Sequence, residues 1–216
     1  PWRCRHEPVM TKQLHTAHAA QDGLKAAMLA KHGLTGPRLM LEGEQGFFAA
    51  TAPDADPAAV NATPDAQWLI WETSFKPWPS CRFTHTSIDA ALDLHEQKPD
   101  LDDVKEVLIE TYTDSAVICD EPVPTSEIQA KFSLQHVVSA TLINGPPGLD
   151  QFRGAALTDS AIAELRTRCR IAETKQFNDA YPQHYGTAVS LTFADGSVVD
   201  ASRADALGDP ENPVAP

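Results

Sequence analysis

The hydrophobic positions in the first part of the chain have the spacing of a helix. In the alanine-rich stretch 16–32, Leu24, Met28 and Leu29 fall on one side of a 3.6-residue period, which predicts a helix with one buried face. Gly33 follows directly and suits the C-terminal cap of such a helix. Residues 38–52 predict a second, shorter helical piece that is interrupted by two glycines.

The pattern changes after residues 53–64, which are rich in Ala, Asp and Pro and have little to bury. We interpret this stretch as a linker between two domains. Beyond it, short hydrophobic runs predict strands, and longer amphipathic segments predict helices. The strands are expected at 67–75, 104–112, 170–174, 187–193 and 198–202, and the helices at 84–96, 126–144 and 159–169.

Local signals set the ends of several of these elements. Ser126 and Thr158 are expected to be helix N-caps, and Gly145 is expected to end the longest helix. Asp195 and Gly196 predict a hairpin between the last two strands. Helices that alternate with strands, together with a final hairpin, favour an α+β fold with a mixed, largely antiparallel sheet and helices on one face.

Length, charge and hydrophobicity exclude several classes of protein for this chain. The 216 residues suffice for one good-sized domain, or for one domain and part of another. A formal net charge of −13 argues against nucleic-acid or anionic-membrane partners, since both bind a basic face. No apolar run approaches the ~20 residues of a membrane span. The first ten residues lack the apolar centre of a signal peptide. We therefore expect a cytoplasmic protein.

Neither the cysteines nor the histidines have the spacing of metal ligands, and no glycine-rich nucleotide-binding loop is present. We therefore expect no metal and no cofactor. The four scattered cysteines are expected to be reduced thiols: Cys4, Cys81, Cys119 and Cys169. The chain starts without methionine and stops in a loop-like G-D-P-E-N-P-V-A-P stretch, so we expect it to be part of a longer protein.

The strongest candidate site is the run K-P-W-P-S-C-R-F-T-H, residues 76–85, which we call the cation segment. Lys76, Arg82 and His85 lie within ten positions of each other in an otherwise acidic chain, which indicates a site for an anionic ligand. The alternative is that both cations face solvent and that His85 caps a helix. Cys81 is either a nucleophile or a small buried hydrophobic residue, and no catalytic partner is visible for it.

Two further groups carry candidate chemistry. Lys12 and His15 stand at i and i+3 before the first helix, where they could meet an anion near its positive end; the alternative is that both are solvated. Lys131 lies in the first turns of the predicted 126–144 helix. There it either binds an anion or pairs with Glu127 four residues earlier, and the sequence does not separate these two alternatives.

Five segments in a common order resemble the MmgE/PrpD family. They are T-K-Q-L-H-T-A-H-A-A-Q-D-G-L-K-A-A-M-L-A-K-H-G-L-T-G-P, E-G-E-Q-G-F-F, K-P-W-P-S-C-R-F-T-H, A-K-F-S-L-Q-H-V-V-S-A and G-D-P-E-N-P. The resemblance extends from about residue 11 to about residue 213. It implies a cofactor-independent enzyme for small di- or tricarboxylates, such as 2-methylcitrate dehydratase, cis-aconitate decarboxylase or iminodisuccinate epimerase. Such enzymes are homodimers with an active site between an all-helical domain and an α+β lid.

The resemblance also implies a domain division and site roles. Residues 1–62 would be the last part of the first helical-domain segment, residues 63–203 the lid, and residues 204–216 a truncated return to the helical domain. By the same resemblance, the expected catalytic residues are Lys12, His15, Lys76 and His85, and the expected substrate-binding residues are Arg82, Lys131 and Cys81.

Two positions depart from the decarboxylase pattern. Cys81 stands where that enzyme has a histidine, and Ile118 is the nearest equivalent of its tyrosine. The sequence therefore favours part of a dehydratase-like or epimerase-like lyase or isomerase that removes a proton next to a carboxylate. The alternative is a catalytically inactive, truncated product that acts only as a lid-like binding or interaction module.

Overall fold

The computed structural model describes residues 10–54, 56 and 68–215, and these divide into two compact units between Trp71 and Glu72. Most of the predicted linker 53–64 and the start of the strand expected at 67–75 lie outside the described residues. The predicted domain limits therefore stay a prediction. In the described part of the chain, no helix has both the length and the apolar character that a bilayer crossing requires.

The first unit contains helices α1 (Thr11–Lys31) and α2 (Phe47–Thr51). The helix expected at 16–32 is confirmed, with a start five residues earlier. It ends in a Schellman motif, because the Gly33 and Leu34 amides donate to the Ala30 and Leu29 carbonyls at 3.0 Å each. Gly33 has φ +93°, a conformation that glycine adopts without strain, so its predicted capping role is confirmed.

The buried face predicted for this helix is wrong for the described structure. Leu24 is 66% exposed and Met28 is 55% exposed, and Leu29 is exposed as well. Among the described residues of this unit, only Gly46 is buried. Spacing predicted which residues share a face, but burial of that face requires a covering surface that these residues do not have.

The strand predicted at 67–75 is also wrong. Leu69–Glu72 forms a 3-10 helix, closed by a hydrogen bond from the Trp71 amide to the Trp68 carbonyl at 3.0 Å. These residues pair with no strand of the described sheet. The W-L-I-W run is continuously apolar rather than alternating, so its pattern did not distinguish a strand from a short helical turn.

The second unit is built on one four-stranded sheet with the order β2-β1-β3-β4. The strands are β1 (Val104–Thr111), β2 (Cys169–Glu173), β3 (Thr187–Phe193) and β4 (Val198–Arg203). β1 pairs parallel with β2 and antiparallel with β3, and β3 pairs antiparallel with β4. A hairpin with Gly196 at φ +86° joins β3 to β4. The predicted α+β fold with a mixed, largely antiparallel sheet is thus confirmed.

Two of the helices of this unit, α3 (His85–Glu96) and α6 (Leu134–Asn144), cover the apolar face of the sheet. Alternate residues of β1, including Val107 and Ile109, are buried in one cluster with Ile88 and Leu94 of α3 and with residues of α6. The helices are α3 (His85–Glu96), α4 (Thr113–Ile118), α5 (Glu127–Ala130), α6 (Leu134–Asn144), α7 (Ala155–Thr158), α8 (Ser160–Thr167) and α9 (Lys175–Ala180).

Two helices differ from their predicted limits, and in both cases a side-chain cap explains the difference. The helix expected at 126–144 is interrupted because the Ser133 hydroxyl accepts the His136 amide at 2.9 Å and starts a new helix, α6. The helix expected at 159–169 is capped by Asp159 instead of Thr158, through the Ile162 amide at 3.0 Å.

The chain after β4 returns to the cation segment. Residues 206–212, which we call the tail turn, lie beside Phe75, whose amide donates to the Gly208 carbonyl at 2.8 Å. Gly208 has φ +97°, and a Cβ on it would lie 2.6 Å from the Phe75 carbonyl oxygen. The tail turn therefore requires glycine at this position, both for conformation and for space.

Candidate functional site

The cation segment is held in shape by its own turn and by the end of α5. The Cys81 amide donates to the Lys131 carbonyl at 2.8 Å, and the Thr84 amide donates to the Cys81 carbonyl at 3.0 Å. α3 then begins at His85, one residue after the predicted start. Two of the predicted site residues, Cys81 and Lys131, are thereby joined through their backbones.

Arg82 is paired inside the protein. Its Nη2 donates to both carboxylate oxygens of Asp209, which is nearly fully buried in the tail turn. The guanidinium carbon lies 5.0 Å from the centre of the Tyr185 ring. The buried Nη1 has no hydrogen-bond partner among the described residues. Arg82 is therefore paired with a carboxylate of this unit.

Asp209 is itself fixed by the tail turn. One carboxylate oxygen accepts the Ala206 amide at 3.0 Å, and the Asp209 amide donates back to the Ala206 carbonyl at 3.1 Å. The Asn212 amide donates to the Asp209 carbonyl at 3.0 Å. These bonds hold the carboxylate in one place against Arg82.

A second carboxylate, Asp89 of α3, ties the tail turn to the cation segment. Its two oxygens accept the Trp78 indole N–H and the Leu207 amide, each at 2.7 Å. Burial raises the pKa of Asp89, and the two hydrogen bonds act in the opposite direction. The cation segment, α3 and the tail turn are thus cross-linked by two buried carboxylates.

His85 is the most unusual residue of the cation segment. Its side chain is 0% exposed, and among the described residues neither ring nitrogen has a hydrogen-bond partner of normal geometry. Burial lowers its pKa to about 4, with the positive charges of Arg82 and Lys76 as further causes. The Ser80 backbone and the Asp209 carboxylate act in the opposite direction. At neutral pH the ring is therefore uncharged, with one nitrogen lone pair free to accept a proton.

The open cleft beside Arg82 is acidic. It encloses about 270 Å³ and carries four carboxylates against one guanidinium. The lining residues of this unit alone therefore do not form a pocket that attracts an anion. Lining residues are Glu72, Ser74, Arg82, Gln183, Tyr185, Asp205, Asp209, Pro210 and Glu211.

Lys131 and Cys81 have ordinary structural surroundings. The Lys131 ammonium lies 2.6 Å from a Glu127 carboxylate oxygen, and this hydrogen bond lowers the pKa of Glu127. The pairing is one of the two alternatives that the sequence left open. Cys81 is a buried thiol without a disulfide.

An aromatic cluster lies against the Arg82 side of the segment. The Tyr112 and Tyr181 rings stack with centres 4.5 Å apart, and the Phe83 and Tyr185 rings meet Tyr112 edge-on. The Tyr112 hydroxyl is buried with no hydrogen-bond partner among the described residues, and burial raises its pKa above the ordinary value. The hydrogen bond to Asp114 raises the pKa of Tyr181 to about 12.

Lys12 and His15 belong to the first unit, where both are exposed at the beginning of α1. On the same helix, His18 lies 4.0 Å from Asp22. In the described part of the chain, no group of three or more His, Cys, Asp or Glu side chains is arranged to hold a metal ion.

Sequence reasoning missed Asp209, Asp89 and Tyr185. Asp209 lies in the G-D-P-E-N-P segment, which contributed to the resemblance but was given no role. Its partner is 127 positions away, and no local spacing indicates such a pair. The sequence offered one signal for Asp209, which is that this carboxylate stands in an Asp-Pro turn close to the end of the chain.

Comparison with known proteins places both parts of the chain. Residues 78–216 match the MmgE/PrpD C-terminal domain, and residues 1–59 match the MmgE/PrpD N-terminal domain. The chain is 28% identical over 199 residues to cis-aconitate decarboxylase of Homo sapiens, a match that covers 87% of this chain and 40% of that protein.

Two further relatives have similar names. The chain is 26% identical to cis-aconitate decarboxylase of Mus musculus, and this match covers 87% of this chain and 39% of that protein. It is 24% identical to the cis-aconitate decarboxylase-like protein oryM of Aspergillus oryzae, and this match covers 88% of this chain and 43% of that protein. The chain thus spans about 40% of the length of these relatives.

Proposed function

Because the chain belongs to the MmgE/PrpD family, we propose that it is part of a lyase or isomerase acting on small di- or tricarboxylates. The proposed chemistry is removal of a proton next to a carboxylate, and the family resemblance implies that no metal or organic cofactor takes part. The names of the relatives support a lyase, since each of them is a cis-aconitate decarboxylase or a protein like one.

The observation that carries this proposal is the state of His85. Buried polar atoms are normally hydrogen-bonded, and each one that is not costs about 1–3 kcal/mol. Among the described residues, neither His85 ring nitrogen has a hydrogen-bond partner of normal geometry, and the ring lies near the charges of Lys76 and Arg82. A strongly perturbed titratable group in such surroundings is typical of a functional site.

We propose that a bound polycarboxylate changes His85 into an effective base. With a pKa of about 4, the free ring is a weak proton acceptor, and two nearby cations are among the causes. Substrate carboxylates bound at Lys76 would neutralise one of these charges and raise the pKa of His85. Since the ring is fully buried, substrate reaches it only when the cation segment moves.

Three of the other expected residues keep their roles within this proposal. Lys12 would bind a carboxylate and His15 would move a proton, as the resemblance implies. Lys131 would bind substrate only by giving up its pair with Glu127. The cations would stabilise the enolate-like charge that develops when the proton leaves, because such charge is best stabilised by fixed groups in a water-poor site.

The candidate enzymes of this class differ in the reaction that follows removal of the proton. Dehydration and epimerisation differ in whether a leaving group departs after proton removal. The relatives' names favour decarboxylation as a second candidate, whereas Cys81 replaces a histidine of the decarboxylase pattern. Incubation with 2-methylcitrate, iminodisuccinate and cis-aconitate, with detection of alkene, racemisation and CO₂ respectively, distinguishes the three reactions.

Citrate, a tricarboxylate, is the probe for the binding step. We expect citrate to raise the pKa of His85, measured from its imidazole NMR signals, and Lys76→Ala to abolish that change. Lys175→Ala is the matched control, since Lys175 is exposed on α9 and pairs with Asp179. A His85 pKa that citrate leaves unchanged, together with no turnover of the three substrates, would contradict the proposal.

The same experiment tests the alternative of a non-catalytic, lid-like module. Such a module is supported by the exposed apolar side chains of α1, which offer surface for an interaction. It would show association with a protein partner or with itself, without turnover and without a response of His85 to citrate.

A further inference from the structure

We infer that Asp209 is a positioning residue, which holds the Arg82 guanidinium over Tyr185 as a fixed positive charge beside His85. Arg82 would then act on His85 and would not bind substrate carboxylates itself. The functional part of this inference rests on the proposed function, whereas the positional part does not.

One of the Arg82 nitrogens, Nη2, is committed to an internal carboxylate. Nη2 is shared by the two oxygens of the Asp209 carboxylate, and Nη1 is buried without contact to solvent. The Tyr185 ring covers one side of the guanidinium at 5.0 Å. A substrate carboxylate would have to displace an internal carboxylate that is already desolvated, and replacing a buried ion pair in this way gains little.

The tail turn keeps Asp209 in place through bonds that do not involve Arg82. Asp209 is bonded to Ala206 at 3.0 Å, Asp89 holds the Leu207 amide at 2.7 Å, and Gly208 accepts the Phe75 amide at 2.8 Å. The carboxylate is therefore pre-organised, and the flexible arginine side chain is the member of the pair whose position is set.

The consequence of this arrangement appears at His85. Among the described residues, Lys76 and Arg82 favour the neutral ring, while the Asp209 carboxylate opposes them. If the guanidinium could move towards a bound ligand, the electrostatic environment of His85 would change with ligand binding. A guanidinium fixed by Asp209 gives His85 a constant environment.

The test uses the ring current of Tyr185. Protons of a guanidinium above an aromatic ring are shifted upfield in NMR spectra, so the Arg82 side-chain signals report its position. We expect Asp209→Asn to abolish this upfield shift. Asp205→Asn is the matched control, since Asp205 lines the same cleft but bonds to His184 at 2.8 Å, and we expect it to leave the Arg82 signals unchanged.

A second variant keeps the test decisive if Asp209→Asn does not fold. Asp209→Glu retains the carboxylate but lengthens it by one methylene, so it should preserve the pair and move the guanidinium, which changes the upfield shift. Arg82 signals that stay unchanged in the variant that folds would overturn the inference, because packing alone would then position the arginine.

Citrate separates this inference from the proposed function. If citrate shifts the His85 signals while the Arg82 signals stay constant, both proposals are supported. Arg82 signals that move with citrate to saturation would overturn the inference and make Arg82 a substrate-binding residue. If citrate shifts neither residue, the proposed function is contradicted, and the two Asp209 variants still decide the positional role.

Discussion

His85 should make the second unit sensitive to acid. Its pKa is lowered from 6.5 to about 4 in the folded chain, so the unfolded chain binds a proton that the folded chain excludes over that range. The contribution of His85 to the free energy of unfolding is fully present above about pH 6.5 and is lost as the pH falls towards 4. Replacing His85 by Gln, which is polar but does not titrate, should remove this part of the pH dependence.

The magnitude follows from the size of the shift. One pKa unit corresponds to about 1.4 kcal/mol, and a lowering from 6.5 to about 4 therefore corresponds to about 3 kcal/mol between the two pH limits. His136 contributes with the same sign, because burial lowers its pKa as well. The difference between the native chain and His85→Gln isolates the share of His85.

The assay is urea unfolding at several pH values between 4 and 6.5, followed by circular dichroism. We expect the native chain to lose about 3 kcal/mol more than His85→Gln across this interval. His184→Gln is the control, since His184 is only partly buried and its bond to Asp205 raises its pKa, which gives the opposite sign. Equal losses in the native chain and in His85→Gln would refute the electrostatic account of His85.

Three further predictions concern stability and association. Gly208→Ala should destabilise the second unit by more than about 1 kcal/mol in urea unfolding, because it combines a positive φ with a contact to Phe75. Ser133→Ala should cost about 1 kcal/mol through loss of the α6 cap, measured in the same way. The 216-residue chain should self-associate in size-exclusion chromatography, and changing Leu24 and Met28 together to Glu should shift it to a monomer.

Each of these predictions has a matched comparison. Gly196 has φ +86° and open space for a Cβ, so Gly196→Ala separates backbone strain from the steric contact at Gly208. Ser197→Ala, on the exposed hairpin, removes a serine hydroxyl without affecting a helix start. A native chain that elutes as a stable monomer would count against an interaction surface on α1.

Sequence patterns were sufficient for elements whose burial follows from their own spacing. β1 buries alternate residues such as Val107 and Ile109, and α3 buries Ile88 and Ala91 of the predicted face, so both elements were predicted within a residue or two. The hairpin at Gly196 was equally clear, because a positive φ limits the residues that can stand there. The 67–75 strand failed because a continuous apolar run carries no period.

For the candidate site, the sequence indicated the cation segment but not the pairing within it. Lys76, Arg82 and His85 could be picked out because cations are uncommon in so acidic a chain. Their protonation and contacts could not be inferred, since His85 is neutral through burial and Arg82 is paired with a residue 127 positions away.

The residue order alone therefore set the α+β class, most element positions, the family and the cation segment. Hydrophobic spacing and turn preferences act over a few residues, so they can be inferred from residues that are close together in the sequence. The tertiary structure alone decided that Arg82 pairs with Asp209 and that the adjoining cleft is acidic. It also decided that His85 is an uncharged ring without a hydrogen bond of normal geometry to the described residues. Charge compensation and desolvation depend on which distant segments meet, and this is determined only when the tail turn closes on the cation segment.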